Sequence, residues 1–79
     1  MNNEHIIVIT EARQELENLH AGEITLAGRI DYFLKSIKEN KIFATSYIEQ
    51  LLDELLWAFE DRNYEESNIY KLVEKTRGY

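Results

Sequence analysis

Between Ser46 and Asp61 the chain reads SYIEQLLDELLWAFED, its most apolar run and also its most acidic. No proline or glycine interrupts it, and good helix formers dominate. With Trp57 at the origin and about 100° per residue, Ile48, Leu52, Leu55 and Phe59 gather on the opposite side, flanked by Leu51 and Ala58. The pattern predicts a helix over 46–61 with that side as its core face. Gln50, Asp53, Glu54, Glu60 and Asp61 make up the polar face, and Trp57 sits in their midst. Ser46 followed three residues later by Glu49 fits a capping box. A helix with such an apolar face needs other elements to cover it, and the rest of the chain offers three.

Residues 4–20 carry Ile6, Ile9, Ala12, Leu16 and Leu19 at spacings of three and four, which predicts a first helix. The β-branched stretch His5–Thr10 also reads as a short strand, but the helical period continues smoothly to Leu19. Ala21 to Thr25 is a turn, with Gly22 as a left-handed stop and Thr25 as the next cap. Residues 26–40 give a second helix with the stripe Leu26, Ala27, Ile30, Phe33, Leu34 and Ile37. Arg29, Tyr32, Lys35 and Glu39 fall on its other side. Gly28 within it points to a close helix crossing or to a later helix start. Asn40 suits the C-terminal end. Lys41 to Thr45 is a short link with Ile42 and Phe43 expected under the bundle, making helices two and three antiparallel neighbours. After a break at Asp61-Arg62-Asn63, residues 64–77 read as a fourth, weaker helix. Ile69, Leu72 and Val73 form its narrow stripe, helped by Tyr64 and Tyr70. Lys71, Lys75 and Arg77 suit its dipole, and Gly78 stops it.

The fold expected is all-α, a small bundle of three to four helices in a single domain over 1–79. At 79 residues the chain is near the lower limit for an independent core, and with no cysteine it has no disulfide or thiolate metal site to brace it. Stability must come from helix packing, from oligomerisation, or from both. No apolar run approaches the length of a membrane span. The IIVI stretch is too short, and lacks the basic flank, for a signal peptide. The expected compartment is the cytoplasm of a bacterial cell.

The net charge is −6, and its placement restricts function. Residues 49–66 hold Glu49, Asp53, Glu54, Glu60, Asp61, Glu65 and Glu66 against Arg62 alone. This reads as a solvated helix face that aids solubility, or as a patch for a basic protein. Direct nucleic-acid binding is disfavoured, because phosphate contacts require a basic footprint. A helix-turn-helix over 26–61 would carry carboxylates into the groove. Trp57 likewise has two readings. Either another helix or a second copy covers it, or it is an exposed anchor with carboxylates steering a basic partner towards it. If the helix continued past Asp61, Tyr64 would lie near Trp57. The candidate partner-binding residues are therefore Glu49, Asp53, Glu54, Trp57, Glu60, Asp61 and Tyr64.

Nothing in the chain specifies a reaction. Glu17-Asn18-Leu19-His20 has the spacing of a di-iron ligand pair, but such a site needs two such units and two further glutamates. His5 has no evident nucleophile beside it. Thr25, Ser36, Thr45 and Ser46 lie near turns and helix ends, where capping explains them. There is no P-loop and no dinucleotide turn. No enzyme, cofactor or metal is expected.

The run Leu19-His20-Ala21-Gly22-Glu23-Ile24-Thr25, followed by Arg29-Ile30, resembles the opening of colicin D-type immunity proteins over about residues 16–60. The resemblance implies a neutraliser that covers the active site of a basic tRNA-cleaving toxin. It assigns no contact residue here. The function expected is a small acidic protein-binding inhibitor, immunity- or antitoxin-like, directed at a basic toxin or nuclease. The alternative is a self-associating structural or regulatory helical protein, of phage or mobile-element kind, with Trp57 at a homodimer seam. A phosphate-mimicking anti-defence protein would share the first mechanism.

Overall fold

The structure, a computed structural model, describes residues 3–19 and 24–79. It is an all-α bundle of four helices: α1 (Asn3–Asn18), α2 (Ile24–Lys38), α3 (Thr45–Glu60) and α4 (Asn68–Arg77). Ala21, Gly22 and His20 lie outside the described residues, so the expected Gly22 stop and the Glu17–His20 pair are not placed. No helix among the described residues is long and apolar enough to cross a membrane.

The His5–Thr10 stretch is helical. β-branched residues are poor helix formers in isolation, but Val8 and Ile9 are buried here, and packing of an apolar face outweighs propensity. Thr10 donates its hydroxyl to the Ile6 carbonyl at 2.7 Å, a bond only helical geometry provides. The stripe is shifted slightly from expectation. Val8, Ile9, Ala12 and Leu16 are buried, Ile6 and Leu19 are half-buried, and Ile7 faces out.

Each of α2, α3 and α4 ends in the same way. Asn40 (φ 64°), Asn63 (φ 56°) and Gly78 (φ 98°) take left-handed backbone. The next amide then returns to a carbonyl five residues back: Lys41 to Ser36 at 3.0 Å, Tyr64 to Phe59 at 3.0 Å and Tyr79 to Glu74 at 3.3 Å. This closure satisfies carbonyls that a helix end would otherwise orphan, and asparagine and glycine tolerate the left-handed step best. It fixes where each chain reversal occurs.

The N-termini depart from expectation. α2 begins at Ile24, so Thr25 lies inside the helix and cannot cap it. Gly28 is mid-helix and exposed with open space around it, so it marks neither a close crossing nor a late start. The N-cap of α3 is Ala44, without a side-chain bond. The expected Ser46–Glu49 capping box does not form, because the helix starts one residue before Ser46. Phe43 accounts for the shift. Its ring stacks on Tyr47 at 4.9 Å, tilts against Phe33 at 5.0 Å and meets Tyr32 edge-on at 6.2 Å, fixing the connector ahead of Ala44. Ile42, also expected under the bundle, is instead 95% exposed. α4 starts at Asn68, not near 64. Ser67 caps it by accepting the Tyr70 amide at 3.1 Å.

α1 and α3 are central and touch every other helix, while α2 and α4 do not meet among the described residues. The contact between α2 and α3 is the slightest, and α4 packs most closely on α1 and α3. The fourth helix, which looked weakest in sequence, therefore closes the core. Ile9, Ala12, Ile30, Phe33, Leu51, Leu55, Phe59 and Val73 are fully enclosed, and Leu56 joins them at the edge of the expected stripe. The thinnest dimension of the bundle is 17 Å, under two helix diameters, so each helix keeps a solvent face.

Candidate docking surface on α3

The solvent face of α3 presents Trp57, 59% exposed. Asp53 and Glu54 lie one turn before it and Glu60 and Asp61 one turn after, as i±3 and i±4 spacing requires. No other helix among the described residues covers the ring, so the reading in which a neighbouring helix of the same chain buries it does not hold.

The carboxylates before Trp57 are not free. Arg29, projecting from α2, clasps Glu54 with its two terminal guanidinium nitrogens, Nη1 reaching Oε1 at 2.7 Å and Nη2 bonding Oε2. That pairing holds the Glu54 carboxyl below its ordinary range despite partial burial, and raises the Arg29 guanidinium. Arg77, from the last turn of α4, donates Nε to Asp53 at 2.9 Å and Nη1 to Glu49 at 3.3 Å. Tyr79 also donates its hydroxyl to Asp53 at 2.6 Å, and its ring lies 4.6 Å from the Arg77 guanidinium carbon. The bond to Asp53 is the main reason that both Arg77 and the Tyr79 hydroxyl are raised. Two arginines thus sit on three of the seven acids of 49–66. The expected continuous row of carboxylates is cut to its second half.

Beyond Trp57, Glu60 and Asp61 are exposed, as are Glu65 and Glu66 in the turn that follows. Glu60 accepts the Tyr70 hydroxyl at 2.8 Å. Tyr64 does not extend this surface. The helix ends at Glu60, and the chain turns so that the Tyr64 ring stacks on Phe59 at 5.7 Å, on the core side. Its hydroxyl donates to Glu15 at 2.9 Å, which raises its pKa. Of the seven residues singled out in sequence, Trp57, Glu60 and Asp61 remain as an open surface. Glu49, Asp53 and Glu54 brace α3 to its neighbours, and Tyr64 belongs to the α1–α3 seam. The cations responsible were missed because Arg29 and Arg77 lie far along the chain from the acids they meet. The available signal was an arginine on the polar side of each of two other helices.

Two of these contacts contribute to the limbs of the stability profile. Glu54 titrates lower when folded than its ordinary 4.5, so its contribution is present above that value and is lost as pH falls below it. Tyr70 is pushed up to about 12 from 10.0 by its bond to Glu60, so its contribution is complete below pH 10 and disappears between 10 and 12. Thermal unfolding against pH should show both limbs. Tyr70→Phe should flatten the alkaline limb in part, since Tyr64 and Tyr79 are also raised, and Glu54→Gln the acid limb in part; an alkaline limb unchanged in Tyr70→Phe would exclude this bond as a contributor.

Among the described residues, no cluster of three or more histidine or acidic side chains is placed to hold a metal ion. His5 lines a cavity of about 150 Å³ with Glu49, Thr76 and Arg77; Arg77 is already committed to carboxylates there. No family model, curated protein or solved structure matches the chain.

Proposed function

We propose that this chain is a small, non-catalytic protein-binding inhibitor of the immunity or antitoxin kind, docking on a basic toxin or nuclease through the Trp57 end of α3. The observation that carries the reading is the exposed indole. A tryptophan left 59% exposed on a rigid helix costs the monomer apolar burial, and such residues are enriched where a partner supplies that burial. Glu60, Asp61, Glu65 and Glu66 give this end a negative field that attracts a basic surface. Asp53 and Glu54 are assigned a different role from that of phosphate mimics. Paired to Arg77 and Arg29, they hold α3 rigid so that Trp57 is presented in one orientation.

Titration calorimetry against a basic tRNA-cleaving nuclease domain tests the reading. Trp57→Ala should weaken the complex by about 2 kcal/mol or more, while Asp61→Asn should act mainly on the association rate and its salt dependence. An inhibitor that binds such nucleases unchanged after Trp57→Ala, with its fold intact, would exclude this end of α3 as the docking site.

A further inference from the structure

The opposite end of the molecule holds a surface of complementary character. The start of α1, the end of α2 and the start of α3 enclose an open groove of about 420 Å³. Ile6, Ile37, Phe43 and Ile48 line it, with Ile42 and Lys41 at its margin. At 95% exposure, Ile42 is the most exposed large apolar side chain among the described residues, and the monomer gains nothing by displaying it. The charge here is opposite in sign to that of the far end. Residues 35–41 carry Lys35, Lys38 and Lys41 against Glu39, all exposed, with Lys41 3.8 Å from the Glu39 carboxylate and Lys35 and Lys38 in excess of it, whereas 60–66 carry Glu60, Asp61, Glu65 and Glu66 against Arg62. An apolar groove with a basic margin fits an apolar group flanked by carboxylates. Trp57, with Glu60 and Asp61 one turn on, is such a group. It cannot reach the groove of its own chain: twelve residues of α3 separate it from Thr45, about 18 Å of helix, and Ile48 points to the opposite side of α3.

We infer that the groove receives the Trp57 face of a second copy of this chain, with Glu60 and Asp61 against Lys38 and Lys41. The contact is heterologous, because the two patches differ. Each added copy presents a fresh groove or a fresh Trp57, so assembly runs head to tail and stops only if the rotation closes a ring. Assembly covers Trp57, so self-association and capture of any other partner at that face exclude each other.

Sedimentation equilibrium of the full chain tests this without a partner. The wild-type mass should rise above 9.4 kDa with protein concentration and fall back with added salt, because opposite charges meet in the contact. Trp57→Ala removes the inserted group and Ile42→Asp spoils the groove. Both positions are exposed, and circular dichroism checks that the fold is kept. Each variant alone should associate at least about tenfold more weakly. Mixed one to one, they should form a dimer and nothing larger, since one offers only a groove and the other only a Trp57. Three results would each overturn the inference: a wild type that stays monomeric up to its solubility limit, a variant mixture that stays monomeric, or association that tightens with salt. The last would place acidic faces against each other in a symmetric seam.

Discussion

Phe59→Ala is expected to destabilise the domain by about 3–5 kcal/mol. The ring is fully enclosed, and it supports the stacked Tyr64, which in turn reaches Glu15 on α1. Truncation removes its own burial and leaves a cavity where α3 meets the turn into α4, and a bundle of short helices cannot collapse to fill such a space without moving a whole helix. A 79-residue domain has about 4–12 kcal/mol in total, so this one change takes a large share. Urea unfolding should show a midpoint shifted far towards zero denaturant with a substantial unfolded fraction in buffer. A loss under about 1 kcal/mol would mean that Phe59 is not at the centre of the packing described here.

The second large effect is expected from Val73→Asp. Val73 is the fully buried residue of α4, and α4 packs most closely on α1 and α3. A carboxylate there has to be desolvated without a partner, which costs about 3 kcal/mol or more. Because α4 closes the core, the loss should be cooperative, with ellipticity disappearing from the whole chain and not only from the ten residues of α4. Lys71→Asp, exposed on the same helix, is the control and should change stability by about 0.5 kcal/mol or less. If Val73→Asp removed only the α4 share of the signal and left the remaining transition in place, α4 would be an appendage to a three-helix core.

These two sites show why α3 can carry an exposed tryptophan at all. Its buried face is secured by Leu51, Leu52, Leu55, Leu56 and Phe59, and its flanks by the Arg29–Glu54 and Arg77–Asp53 pairs. Both pairs are partly exposed, so each adds modestly to stability and is screened by salt. Their main effect is geometric, since Arg29 grips Glu54 with two bonds and Arg77 spans Asp53 and Glu49, and two bonds from one planar guanidinium fix direction as well as distance. The helix is held from both sides, and the face between them is left open.

The periodicity of the chain, without any tertiary information, determined the all-α class, a bundle of three to four helices, the core face of α3 and the position of Trp57 on the side of that helix away from it. Each follows from apolar spacing within one helix, a local property that packing did not need to override. The left-handed endings at Asn40 and Gly78 were legible for a different local reason, because few residues accept that backbone. Tertiary structure alone decided the rest. That there are four helices, and that Trp57 is exposed, only the packing decided. The turn at Asn63 carried Tyr64 away from Trp57, Phe43 set the start of α3, and Arg29 and Arg77 paired with three of the seven acids of a stretch that looked uniformly acidic. Periodicity along one helix states which side a residue faces, but not which charge from a distant segment will arrive there. That depends on how the helices are arranged around the core, and the extent of the open surface beside Trp57 was settled only at that level.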